Sequence, residues 1–309
     1  MRETIDGILN VHKEKGFTSH DVVAKLRGIL KQKKIGHTGT LDPDATGVLP
    51  VCLGKATKVC EYLTDRSKTY VARVRLGVVT DTQDLTGRVL EEHPVRVTKE
   101  ELTEAVSAFV GENWQTPPMY SAVKVNGKRL YELARQGLEV ERKKRKITVY
   151  SCSVSDYIPE EQTFMMEVHC SKGTYIRTLC HDIGERLGCG AAMASLVRTR
   201  SGIFSLEEAL TLSEIEQKVK GGTLYEALLP IDAIFHDYPE ITVSQSGLRY
   251  LQNGNALRQE WCGEEGGAAH GETVRMYGPD RTFYALYRYD GKQRIFTNVK
   301  MFYHAAGQS

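Results

Sequence analysis

GHTGTLDPDATGVLP, residues 36–50, decides how the chain on either side of it is read. Its three glycines permit backbone conformations that other residues resist, and Pro43 stiffens the turn after Asp42. The run VLPVCL that closes it, residues 48–53, is apolar without a break, as in a buried strand. Asp42 is thereby presented on a shaped loop between apolar segments, a common setting for a functional carboxylate. Two phosphate- or ion-binding readings fail on spacing. A P-loop would need glycine at Leu49 and a hydroxyl at Ala56, and a calcium loop starting at Asp42 would need Asp or Asn at Thr46 and Glu at Leu53. A lone aspartate in a Gly/Pro turn is also a common turn former, so spacing alone leaves both roles open.

Outward toward the N-terminus, residues 7–11 read as a short apolar strand. Thr18 or Ser19 can cap a helix with Val22, Val23, Leu26 and Ile29 on its apolar side. Lys31, Lys33 and Lys34 are expected at its C-terminal end, where they suit the helix dipole. In the other direction, residues 69–76 alternate like a strand. Thr98 and Glu101 form a capping box for a helix through Phe109, and the Thr-Pro-Pro at 116–118 must be extended. Ile176, Leu179, Cys180, Ile183 and Leu187 make one helical face, and Gly188 stops it. Past Asp232 the texture changes to one short helix over 244–251 and β-like segments near 273–277, 283–289 and 294–302. The expectation is two domains, 1–231 and 232–309, the second small and mostly β.

With 41% hydrophobic and 26% charged residues the chain has ordinary globular composition. The opening MRETIDGILNVHKEKGF has no apolar run long enough for a signal peptide, and no stretch anywhere suits a membrane span. A soluble, cytoplasmic protein without a membrane partner is expected. The seven cysteines are odd in number and form no C-x-x-C pair, which argues against a disulfide framework or structural zinc. Cys180-His181 lacks a second pair of ligands, so no metal is expected. The net charge of +2 hides a concentrated patch. Residues 121–150 hold nine bases against three acids, a local charge of +6 that suits a phosphate backbone or, equally, a solvated face.

Several segments in order resemble the TruB family of tRNA pseudouridine synthases. They are the 36–50 loop itself, KTYVARVRLGVVTDTQDLTG at 68–87, PPMYSAVKVNGKRLYELARQG at 117–137, CSKGTYIRTLCHDIGERLG at 170–188 and LVRTRSG at 196–202. The resemblance spans residues 7–204, and the C-terminal stretch resembles a PUA-type RNA-binding domain more loosely. One departure stands at the N-terminus. Where the family usually has D-K-P-x-G-x-T-S, this chain has His12-Lys13-Glu14-Lys15-Gly16-Phe17-Thr18-Ser19, without the acid and the proline.

The resemblance implies an α+β fold, with a mixed, largely antiparallel sheet in the catalytic domain and a small PUA-like β domain behind it. It implies isomerisation of uridine to pseudouridine at position 55 of the TΨC loop of tRNA, on a base flipped out of its stack. Asp42 would be the nucleophile, Tyr70 would stack on the base and take part in proton removal, and Arg177 would hold the aspartate. His37, Tyr175, Leu196 and Lys13 would line the substrate site, with Asp84 a candidate RNA contact. Lys124, Lys128 and Arg129, in the basic patch, would grip the loop backbone. The isomerisation balances in atoms and electrons, so no cofactor is expected. No guide RNA or obligatory protein partner is expected either, and the enzyme would act as a monomer.

Overall fold

The computed structural model describes residues 4–263 and 267–303, so the outermost residues of both expected domains lie outside the described residues. The chain begins with β1 (Gly7–Lys13), α1 (Ser19–Leu30), β2 (Ile35–His37) and β3 (Thr46–Leu53). A 3-10 turn and the short α2 (Cys60–Thr64) lead to β4 (Lys68–Leu76), followed by β5 (Val78–Thr80) and β6 (Val89–Glu92). Next come α3 (Lys99–Ser107), β7 (Gly111–Gln115), the hairpin β8 (Lys124–Val125) and β9 (Lys128–Arg129), and α4 (Leu130–Arg135). β10 (Arg145–Ile158), β11 (Thr163–Cys170), α5 (Ile176–Arg186), β12 (Ala191–Ser201), β13 (Phe204–Ser205), α6 (Leu212–Gly221) and β14 (Leu228–Leu229) complete the first unit. The second holds β15 (Glu240–Thr242), α7 (Gln245–Gln252), β16 (Leu257–Arg258), β17 (Thr273–Tyr277), β18 (Phe283–Asp290) and β19 (Ile295–Met301).

The main sheet runs β14-β1-β3-β12-β4-β11-β10-β7, with β2 paired to β3 and β13 to β12. Its pairings are antiparallel except β3 with β12, where Val197 faces Thr46 and Arg198 faces Gly47. The fold is therefore α+β with a mixed, largely antiparallel sheet. The second sheet, β15-β17-β18-β19-β16, is the compact β-rich unit of the C-terminal region. No helix among the described residues is long and apolar enough to cross a membrane.

The unbroken apolar run of β3 has a structural cause: both of its faces are buried. Leu49, Val51 and Leu53 pack with α1 and α6, while Val48 and Cys52 pack with Ile8, Phe235, Leu286 and Phe302. β4 alternates instead, sending Tyr70, Ala72, Val74 and Leu76 toward α3 and α5. The capping box expected at Thr98 is formed, and the cap expected at Thr18 or Ser19 falls on Thr18, which forms a box with Asp21. One helix end differs from expectation. α1 stops at Leu30 and Lys31 turns left-handed with φ of 54°, which leaves Lys33 and Lys34 beyond the helix rather than in its last turn.

Candidate active site

Between β2 and β3 the chain leaves the sheet centre and turns at Asp42. Ala45 N–H donates to Asp42 O at 3.1 Å and closes the turn. Its flank is held from the β1–α1 connection, where Gly16 N–H (2.9 Å) and Lys13 Nζ (3.0 Å) both donate to Pro43 O. Leu41 N–H donates to Ser19 Oγ at 3.0 Å, which ties the other side to the start of α1. The Asp42 side chain stays 40% exposed at the loop crest.

Arg177, in the first turn of α5, meets that carboxylate from beneath. Its Nε lies 3.0 Å from Asp42 Oδ2 and its Nη2 donates to Oδ1 at 3.3 Å, a two-point contact. The guanidinium is itself buried and fixed by two other loops, donating to Thr82 O at 3.0 Å and to Tyr120 O at 2.8 Å. Asp84 Oδ2 stands 3.7 Å from Nε, while Asp84 Oδ1 accepts from the Thr82 hydroxyl at 2.8 Å and Thr86 N–H at 3.0 Å. Asp84 is thus an inward-facing partner of Arg177, only 15% exposed. With its donors taken and two carboxylates beside it, Arg177 carries a compensated buried charge and one orientation.

Tyr70 and Leu196 lie in one cluster with Leu41, Ala45 and Ile176, the apolar lining next to Asp42. Burial pushes the Tyr70 hydroxyl up from its ordinary value, with nearby Arg198 acting against that rise, so the phenol is protonated at neutral pH. Burial, then the charges of His20 and Arg198, hold His37 down at about 4, which makes it a neutral imidazole at physiological pH. Its ring meets His20 edge-on at 5.2 Å, and its Nδ1 is buried without a partner. Lys13 is fully buried and is pushed down to about 8 by burial, against the pull of Asp42 and Asp44. It supports the loop rather than facing solvent. Tyr175 is the residue before α5, and its backbone is clamped by Gln115, which donates Nε2–H to Tyr175 O at 3.0 Å and accepts from Tyr175 N–H at 2.8 Å.

The basic residues form a separate feature. β8 and β9 are joined through Asn126 and Gly127, with φ of 50° and 81°, the left-handed pair that a two-residue type I′ hairpin requires. Lys124 sits directly opposite Arg129 on this hairpin. Like charges in that register repel, which suits a face that meets an anion. Arg129 donates to Tyr131 hydroxyl at 3.1 Å, and Arg135 lies over the same ring at 5.5 Å. Lys124 and Lys128 are exposed.

Of the residues singled out from sequence, Asp42, Arg177, Asp84, Tyr70, Leu196 and Lys13 converge on one place. Lys124, Lys128 and Arg129 belong to the hairpin and make no contact with the Asp42 carboxylate among the bonds and ion pairs of the described residues. Two contributors were not singled out. Gln115 holds Tyr175, and Arg198 bonds to the loop on either side of Asp42. Arg198 follows Leu196 by two residues on the same strand, so the period of a strand places both on one face; that was the available signal.

The N-terminal domain model of TruB family pseudouridylate synthases matches residues 27–176, and that of the tRNA pseudouridylate synthase B C-terminal domain matches 177–236. The chain is 51% identical over 306 residues to tRNA pseudouridine synthase B of Lachnoclostridium phytofermentans, covering 96% of this chain and 100% of that one. It is 44% identical over 288 residues to the protein of the same name from Bacillus subtilis, covering 92% and 93% of the two chains. Among solved structures, a chain of an H/ACA RNP bound to a substrate RNA containing 2′-deoxyuridine superimposes with a TM-score of 0.72 at 26% identity, over 97% of this chain and 86% of that chain. A chain of a Cbf5-Nop10-Gar1 complex gives a TM-score of 0.72 at 28% identity, over 96% and 85%.

Proposed function

The chain belongs to the TruB family of pseudouridylate synthases, and from that premise we propose that it converts uridine to pseudouridine at position 55 of the TΨC loop of tRNA, with Asp42 as nucleophile. Conversion of uridine to pseudouridine in tRNA is what its relatives are named for. The observation that carries the residue assignment is the Asp42–Arg177 pair: a partly exposed carboxylate held at two points by a buried guanidinium that also bonds Thr82 O and Tyr120 O.

The reaction breaks the bond from N1 of the base to the ribose, turns the base and joins its C5 to the same carbon. C5 gives up a proton and N1 gains one, so the balance needs no outside reagent. Asp42 can act as nucleophile because Arg177 fixes one edge of the carboxylate and leaves the other to the substrate. Tyr70, buried and protonated, offers its ring to the flipped uracil and its hydroxyl as a hydrogen-bond donor. Acting as the base at C5 would require it to ionise first. His37, neutral with an unpartnered ring nitrogen, suits insertion among the loop bases. Flipping the nucleotide costs about a few kcal/mol, which phosphate contacts at Lys124, Lys128 and Arg129 and stacking on Tyr70 offset.

The test incubates purified wild type and Asp42→Ala with an unmodified tRNA transcript alone, and maps pseudouridine by carbodiimide-stop primer extension. A stop at position 55 with wild type only supports the reaction, the nucleophile and action without guide RNA or partner. Binding of the transcript by both proteins without any stop would point to another RNA or to a binding role.

A further inference from the structure

Arg198 is the largest side chain fully buried among the described residues, 1% exposed, and the ion pairs of those residues include none between it and a carboxylate. A buried cation without an acid is costly, so its place is explained by what it bonds. Its Nε–H donates to Val48 O at 2.7 Å and its Nη2–H to Gly39 O at 3.2 Å. Those two carbonyls bracket Asp42 along the chain. On one side, Arg198 stands directly opposite Tyr70 across the β12–β4 pairing. On the other, it is opposite Gly47 in the parallel β12–β3 contact. Arg198 therefore joins the Asp42 loop at Gly39 to β3 at Val48, from a position directly opposite Tyr70 of β4.

We propose that Arg198 is a positioning residue that sets the Asp42 loop in register with Tyr70, and this rests on the pseudouridine-forming reading of the site. Among the hydrogen bonds and ion pairs of the described residues, none joins it to the Asp42 carboxylate. Its contribution is geometric, since the nucleophile and the stacking ring must meet one nucleotide from a loop and from a separate strand. A displacement of about 1 Å in such an arrangement lowers a rate by about 100-fold. Lysine keeps the charge but is a point donor that cannot reproduce a fork spanning two carbonyls.

The experiment compares wild type, Arg198→Lys and Arg198→Met in single-turnover conversion of tRNA, with tRNA affinity measured on the same preparations and rates expressed per folded molecule. Arg198→Lys is expected to lose at least about tenfold in rate and Arg198→Met about 100-fold, with affinity within about threefold of wild type. Amide exchange over residues 39–48 is expected to quicken in folded Arg198→Lys, while β10 and β11 stay protected. Should Arg198→Met fail to fold, Arg198→Lys carries the test. Wild-type rates in the folded variants, or a rate loss matched by an equal loss of affinity, would overturn the proposal. Absence of pseudouridine with wild type itself would instead sink the activity reading. Loop exchange in Arg198→Lys would then decide the positioning role, unchanged exchange overturning it and quickened exchange supporting it.

Discussion

Arg177 divides its donors among the Asp42 carboxylate, Thr82 O and Tyr120 O, so its charge and its planar shape are both in use. Replacing it by lysine preserves the first and loses the second. Arg177→Lys is expected to lower single-turnover conversion by about 100-fold while tRNA affinity changes by less than about threefold, because the mispositioned carboxylate matters in the transition state. Parallel losses of rate and affinity would place Arg177 in RNA binding instead. His37 gives a second residue-scale outcome. The unfolded chain takes up a proton on His37 as pH falls below 6.5, whereas burial delays this in the folded chain until about 4. Between those values the unfolded state binds more protons, so stability contributed by this site falls as pH is lowered through the window and is flat above it. His37→Gln is expected to flatten that part of the curve, checked by urea unfolding of both proteins at pH 7, 6 and 5. An identical slope in the two proteins would contradict the burial of the imidazole.

At the scale of elements, the junction of β3 with β12 is the most constrained feature near the site. Gly47 has φ of +108°, and a Cβ there would meet Arg198 O at 2.2 Å and Arg198 N at 2.8 Å, backbone atoms that cannot swing aside. Gly47→Ala is expected to cost about 3 kcal/mol or more in urea denaturation, from strain and clash together. A loss below about 1 kcal/mol would mean the junction yields. The β8–β9 hairpin yields a different readout. Lys124→Gln with Lys128→Gln should reduce the slope of log affinity against log salt by about 2, with the conversion rate at saturating tRNA unchanged; an unaltered slope would remove this hairpin as the grip. The same elements mark what was legible beforehand. Capping at Thr18 and Thr98, the buried run of β3 and the apolar face of α5 are local patterns, and all four were readable. The pairing of β3 with β12 was not, because strand periodicity identifies a strand without naming its neighbour. Arg198 and Val48 are 150 residues apart in sequence, and Asp84 was expected as an RNA contact rather than a partner of Arg177 because that arginine lies in a distant helix.

For the whole molecule, the C-terminal sheet is built into the support of the site. Phe302 and Leu286 of that region share one buried cluster with Ile8 of β1 and with Val48 and Cys52 of β3, the strand that leaves the Asp42 loop. Phe235 stands at the join, with ring centroids 5.1 Å from Tyr62, 6.2 Å from Phe283 and 5.6 Å from Phe302. Polar ties cross the same seam, with Lys58 Nζ donating to Met301 O at 3.0 Å and Lys300 paired to Glu61 at 2.7 Å. The change in sequence texture past Asp232 led to the expectation of a separate unit, yet Leu286 and Phe302 belong to a core shared with β1 and β3. Two units that share a buried aromatic core unfold together. The intact chain is therefore expected to give one calorimetric transition, and Phe302→Ala, which empties part of the seam, to destabilise it by about 3–5 kcal/mol. The same variant should slow tRNA conversion as β3 loosens behind Asp42. Two resolved transitions, only one of them moved by Phe302→Ala and with conversion unaffected, would mean that the second sheet is an appendage and that the catalytic loop is supported from the first unit alone.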